Sequence, residues 1–243
     1  MEAFAHAQMP QPHADNRRLY RLIADQLMQM IGSGDYPPGS RLPAERDLAA
    51  QLSVSRPSVR EALIALEVEG AVEVRGGAGV FVSQRRRSAP VDPLAPVPGP
   101  FDLIRARWIV ESESANLAAT HATPEQLAGM KRALDDMRAA PSHNELSLEA
   151  DQRFHLFIAE ASANSALVML TRQLWDARRG PLYLQLESHF SGKTIWRQAV
   201  DEHTEILQAI ASRDGRAARN AMRRHMKNAE LRFASSWRPE ETT

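Results

Sequence analysis

Apolar and polar positions along the chain repeat at helical spacing over most of its length. Leu19, Leu22, Ile23, Leu27 and Met30 recur every three or four residues, which predicts a helix over 18–31, stopped by Gly32 and Gly34. Asp35-Tyr36-Pro37-Pro38-Gly39-Ser40 reads as a turn. Residues 41–52 hold a second, short helix with Leu48, Ala49 and Leu52 on its buried side. A third helix begins at Ser55, whose hydroxyl suits the unpaired N–H groups of a first turn. Pro57 falls inside that turn, where its missing N–H costs little. Val59, Ala62, Leu63 and Leu66 form the stripe of this helix that faces the core, and Arg56 and Arg60, four apart, share another face. The period then changes. Residues 71–75 alternate, as do Val80-Phe81-Val82, and Gly76-Gly77-Ala78-Gly79 lies between them as the turn of a hairpin. A helix, two short helices joined by Ser53-Val54-Ser55, and a hairpin make a winged helix-turn-helix over 17–84.

Beyond it, Pro90, Pro93, Pro96, Pro98 and Pro100 mark 85–100 as a stiff linker. Residues 101–238 return to helical periodicity with no competing strand pattern. Helices are expected over 101–120, from Thr123-Pro124-Glu125-Gln126 to Pro141, and over 147–163, 165–187, 194–211 and 216–235. The Thr123 stretch has a capping-box pattern. The expected fold is mainly α: an N-terminal winged helix and a C-terminal all-α bundle of about six helices. Residues 1–16 read as a disordered polar tail, and 239–243 as a second tail.

Composition narrows the function. Lys+Arg and Asp+Glu are 30 each among 243 residues, so the net charge is zero. That argues against a bulk electrostatic binder of nucleic acid and leaves a locally specific one open. The chain has no cysteine, so disulfides and thiolate metal sites are excluded. No apolar run approaches a membrane span, and the N-terminal stretch lacks a signal-peptide core, so the expected location is the cytoplasm.

A short helix with an apolar back and a basic, hydroxyl-rich start suits the DNA major groove. Taken alone, it equally suits a surface helix with two solvated arginines; the surrounding helices and hairpin favour DNA. Leu42-Pro43-Ala44-Glu45-Arg46-Asp47-Leu48-Ala49, Val54-Ser55-Arg56-Pro57-Ser58-Val59-Arg60-Glu61-Ala62-Leu63 and Leu66-Glu67-Val68-Glu69-Gly70 resemble the signature of the GntR family of bacterial transcription regulators. The resemblance implies that Arg46, Arg56 and Arg60 reach base edges, that Ser55 and Ser58 touch phosphates, and that Gly77 in the wing approaches the minor groove. An arginine gripping guanine through two hydrogen bonds supplies roughly 1–3 kcal/mol of discrimination. The wing tip is glycine-rich, so its contact is mostly through the backbone, with Arg75 as a helper. Arg85-Arg86-Arg87 fits either phosphate contact or plain solvation.

In the helical half, Asp151 and His155 are four apart and share one helix face, with His203 and His225 on the last two helices. Spacing alone leaves open whether these are ligands or ordinary surface and core residues. Residues 149–164, 201–210 and 221–226 are similar to helices of the FCD ligand-binding domain. That resemblance implies that Asp151, His155, His203 and His225 carry a divalent metal, zinc, nickel or manganese, beside a cavity for a small organic acid. Arg107 matches the family arginine near that cavity. Four protein ligands leave octahedral positions for an effector carboxylate and an adjacent hydroxyl.

Arg17-Arg18-Leu19-Tyr20, residues 66–75, residues 99–107 and Leu174-Trp175-Asp176-Ala177-Arg178 are similar to the hexuronate-utilisation repressors of this subfamily. They imply a sugar-acid inducer, with Arg178 and Lys193 as candidates to grip it. Arg178 equally fits a plain ion pair with a neighbouring acid. The expected function is therefore a homodimeric repressor on a palindromic DNA operator, released by a hexuronate and not an enzyme. The alternatives are the same regulator responding to another small carboxylate, or a metal-dependent enzyme acting on a sugar acid. The enzyme has no placed general base beyond the ligands. A long acyl ligand wants an apolar tunnel in place of a metal.

Overall fold

The computed structural model describes residues 19–84, 98–140, 145–190 and 192–235. The expected tails, most of the proline-rich linker and Arg85-Arg86-Arg87 lie outside these residues. The N-terminal part comprises α1 (Leu19–Ser33), α2 (Glu45–Gln51), α3 (Arg56–Val68), β1 (Val72–Arg75) and β2 (Gly79–Val82). The strands pair antiparallel, Val72 opposite Val82 and Arg75 opposite Gly79. Ser55 caps α3, its side chain accepting from the Ser58 N–H at 3.2 Å, and Pro57 sits in the first turn. Helix α2 starts only at Glu45. Residues before proline are driven from the α region, so Leu42-Pro43 stays extended, and Arg41 forms an isolated antiparallel bridge to Phe81. Ile23, Leu27, Leu48, Val59, Leu63, Leu66, Val72 and Val82 close one core.

The C-terminal part is helical: α4 (Pro100–His121), α5 (Pro124–Ala139), α6 (Glu145–Ala161), α7 (Ser165–Ala177), α8 (Pro181–Phe190), α9 (Lys193–Ala211) and α10 (Gly215–Ala234). The capping box at Thr123 and Gln126 is formed in both directions. The single helix expected over 165–187 is two helices. Arg178-Arg179-Gly180 break it, and Pro181 starts α8, because proline cannot donate into a continuing helix. Helix α10 packs along α4 and α9, and α5 along α6. Met130, Leu134, Phe154, Ile158, Ile206 and Met222 lie at the centre of the bundle core.

Helix α3 is buried on two sides. Its predicted stripe meets the winged-helix core. Ile64 and Ala65 join a second cluster with Phe101, Ile104, Leu186, Phe190 and Phe233 of the C-terminal part. Glu61 belongs to this joint: it accepts from the Phe101 N–H at 2.8 Å, and a side chain at Gly99 would collide with its carboxylate. Burial pushes the Glu61 carboxyl up to about 7; the Phe101 N–H opposes this, Asp102 adds to it and Arg105 opposes it. Between the usual 4.5 and about 7 the folded chain holds a proton that the unfolded chain has lost. This group's contribution to stability therefore falls as pH rises through that window, by at most on the order of 3 kcal/mol. Glu61→Gln should raise Tm by a few degrees at pH 8 and hardly change it at pH 5. Thermal melts at the two pH values test this, and an equal change at both would reject it.

Candidate functional site

Two constellations stand out, one in each part of the chain. The first is a cleft between the start of α2, the start of α3 and the hairpin, lined by Arg41, Glu45, Arg46, Arg56, Gly77 and Gly79. The Arg46 side chain is 83% exposed and that of Arg56 51%. Ser55 is exposed beside them, and its hydroxyl lies 2.8 Å from that of the half-buried Ser58. Gly77 sits at the exposed tip with φ 69°, which a residue with a side chain rarely adopts. The structure thus brings Arg46, Ser55, Arg56 and Gly77 to one solvent-facing surface. Arg60 departs from the expectation. It is 2% exposed and lies outside the cleft, because the C-terminal helices cover its side of α3. Its Nε donates to Glu45 Oε1 at 2.6 Å, and its Nη1 donates to the Phe233 carbonyl.

Sequence reasoning missed Arg41 in this cleft. Its guanidinium lies across the wing where a Cβ on Gly79 (φ 109°) would sit 2.7 Å from its Nε. The signal lay in a period-two pairing with the distant Phe81, invisible in a local window.

The second constellation lies in the bundle. Asp151 and His155 come from α6, His203 from α9 and His225 from α10. The three imidazoles offer ligand atoms within 4.8 Å of one another. His155 Nε2 lies 3.0 Å from His203 Nε2, and Asp151 Oδ1 lies 3.3 and 2.9 Å from those two atoms. Each Nδ1 faces an acceptor on the outer side: Glu111 for His155, the Ala199 carbonyl for His203 at 2.5 Å, and Glu202 for His225 at 2.7 Å. The outer hydrogen bonds of His203 and His225 fix the tautomer and turn Nε2 inward, as metal-bound histidines require, and the Glu111 carboxylate beside His155 favours the same orientation. With Nδ1 protonated, nitrogen lone pairs and a carboxylate face one another, an arrangement that a cation bound between them would relieve. Asp151 Oδ1 is buried without a well-formed hydrogen bond, as a ligand oxygen would be. The donor set therefore fits a first-row divalent ion.

Electrostatics agree. Burial opposes the Asp151 charge, but His155 and His203 outweigh it and hold the carboxyl well below its usual range. Burial, then the neighbouring His203, pushes His225 down to about 3, leaving it neutral as a ligand must be. Burial likewise opposes the charge of Glu202, yet hydrogen bonding from His225 and the nearby Arg232 hold it at about 2.

A small cavity of about 70 Å³ adjoins the cluster. Asp151, His203 and His225 line it together with Arg107, Arg178, Tyr183 and Glu187. Arg107 is buried, donates to Glu111 at 2.6 Å and stacks 4.2 Å from the Trp175 ring centre. Arg178 stacks 4.3 Å from the same ring, donates to Glu187 at 2.7 Å and lies 3.5 Å from Asp151. Two guanidiniums thus flank one indole beside the ligand cluster. Lys193 is different. It starts α9 on the exposed surface, and its neighbours Gly192 and Ile195 line the cavity while it does not. Glu111, Glu202, Tyr183 and Glu187 were not anticipated, since they meet the site only through tertiary packing.

A family description "FCD domain" matches residues 102–228, and "Bacterial regulatory proteins, gntR family" matches residues 19–82. The chain is similar to the "Uxu operon transcriptional regulator" of Escherichia coli K12, 41% identical over 89% of this chain and 87% of that one. It is also similar to the "Exu regulon transcriptional regulator" of the same strain, at 37% identity over 88% and 84%. Among solved structures, the Streptococcus agalactiae GntR protein is 27% identical, with 87% of this chain and 99% of that chain covered and a TM-score of 0.45.

Proposed function

The chain belongs to the gntR family of bacterial regulatory proteins, with an FCD domain in its C-terminal half, and from this we propose that it is a homodimeric repressor released from its operator by a hexuronate bound beside a divalent metal. The family consists of transcription regulators and not enzymes, so the enzyme alternative falls away. The observation that carries the reading is the convergence of Asp151, His155, His203 and His225 beside a cavity with two buried arginines.

The division of labour follows from the residues. We assign DNA binding to 17–84 and effector binding and dimerisation to 101–238, with 85–100 as linker. One recognition helix reads a half-site, so a palindrome needs two copies of α3 at a set spacing. Arg46 and Arg56 supply base-edge contacts, Ser55 and Ser58 position phosphates, and the Gly77 backbone approaches the minor groove. Within the bundle, Asp151 and the three histidines would hold zinc, nickel or manganese. That ion would supply Lewis-acid positions for a carboxylate oxygen and a neighbouring hydroxyl. Arg107 and Arg178 present N–H donors to the same carboxylate, and a guanidinium can grip it through two bonds. The Glu187 carboxylate accepts from sugar hydroxyls, and Tyr183, which burial keeps protonated, donates to one. No helix among the described residues is long and apolar enough to cross a membrane, and we place the regulator in the cytoplasm, where its DNA is.

The decisive experiment is fluorescence anisotropy on DNA from the protein's own upstream region, at fixed physiological salt. Galacturonate, glucuronate and fructuronate are titrated into the complex with and without a chelator. One of them should release the DNA, and chelation should abolish the response. Specific binding that ignores all three would keep the regulator and discard the hexuronate, leaving another small carboxylate as effector.

A further inference from the structure

Arg60 ties the recognition helix to the effector domain. Its guanidinium is fully enclosed, gripped by both carboxylate oxygens of Glu45 and 5.1 Å from the Phe190 ring centre. Its third contact is the Phe233 carbonyl in the last turn of α10. The final carbonyls of a helix have no intrahelical partner and carry the negative end of its dipole. Arg60 therefore acts as a charged C-cap supplied to α10 from the other domain. Besides the Glu61–Phe101 bond, a further interdomain contact joins His189 of α8 to Glu67 of α3 at 2.6 Å.

The wall that holds Arg60 is also the wall of the effector cavity. Phe190, Arg232 and Phe233 line that cavity. Arg232 is bonded to Glu202 at 3.0 Å, and Glu202 accepts from the ligand-cluster residue His225. The last turn of α10 thus touches the cavity on one side and the recognition helix on the other. Arg46 and Arg56 stay exposed in this docked arrangement, so docking leaves the reading face free and fixes where α3 points.

We propose that Arg60 is an interdomain latch: capping α10, it holds the recognition helix at the spacing the operator needs, and a ligand in the adjoining cavity opens it. What opens the latch rests on the proposed effector; the latch itself rests on the contacts alone. Opening needs a ligand that favours the undocked state over the docked one.

The chain contains no cysteine, so introduced pairs are unique. Nitroxide labels at Gln51→Cys and Leu184→Cys, both on exposed positions, report the interdomain distance by pulsed EPR in samples diluted with unlabelled chain. Arg60→Gln in that background should broaden and lengthen the distance with helix content intact, and lower operator affinity roughly tenfold or more. An unchanged distance distribution overturns the latch. A second test keeps Arg60. In Glu67→Cys/His189→Cys, bridged by a short bis-maleimide, operator binding should persist but the releasing uronate should no longer act. The unbridged pair should still release. Release of the bridged protein also overturns the latch. If no uronate releases the unbridged protein, the hexuronate reading fails, and the label distance alone decides the latch.

Discussion

Arg46→Ala and Arg56→Ala should each weaken specific operator binding roughly 10- to 100-fold, and the double variant should abolish discrimination between the operator and random DNA. Each lost bidentate contact is worth roughly 1–3 kcal/mol, whereas weak phosphate-driven binding is independent of sequence. Both side chains are at least half exposed and neither belongs to a core cluster, so helix content and Tm should hold. Anisotropy with operator and scrambled duplexes at one salt concentration measures the ratio. A normal operator footprint from Arg56→Ala would show that α3 does not read the site. Alanine at Arg60 would not serve the same purpose. It strands the buried Glu45 carboxylate, and losing one member of a buried pair costs roughly 3–5 kcal/mol of stability in its own right.

Stripping the metal should be felt as strongly. Wild-type protein is expected to retain one divalent ion per chain after dialysis, counted by plasma mass spectrometry, and His203→Ala to retain none. An ion present at a hundred times its dissociation constant stabilises the folded state by about 2.7 kcal/mol. For a domain of this size that is a Tm difference of roughly 5–10 °C between loaded and chelated protein. The variant should show no such difference. The pH dependence has a definite sign. Burial disfavours a charged His155, but Glu111 and Asp151 outweigh it and raise its pKa, so the ion must displace a proton. Affinity should therefore fall as pH falls through the His155 titration. Wild-type protein that holds no ion, with a Tm indifferent to chelator, would remove the metal from the site.

Several of these features are written in the chain itself. The Ser55 cap, Pro57 in the first turn, the Thr123 capping box and the alternating hairpin each depend on neighbours within a few residues, and each forms where the pattern places it. The break before α8 was also written locally, in Gly180-Pro181, although helical periodicity on both sides concealed it. Asp151 and His155 share a face by spacing alone. Their meeting with His203 and His225, and the acceptors Glu111 and Glu202 that orient them, required three further helices to pack.

Arg60 marks the limit most clearly. Periodicity puts it on the face of Arg56, and a free winged helix would leave it in solvent. It is buried because its carbonyl partner, 173 residues away, ends α10 beside it. Local sequence determines which residues share a helix face. Whether that face meets water, DNA or another domain is decided by contacts between segments far apart in the chain, and no window along the sequence contains both sides of such a contact.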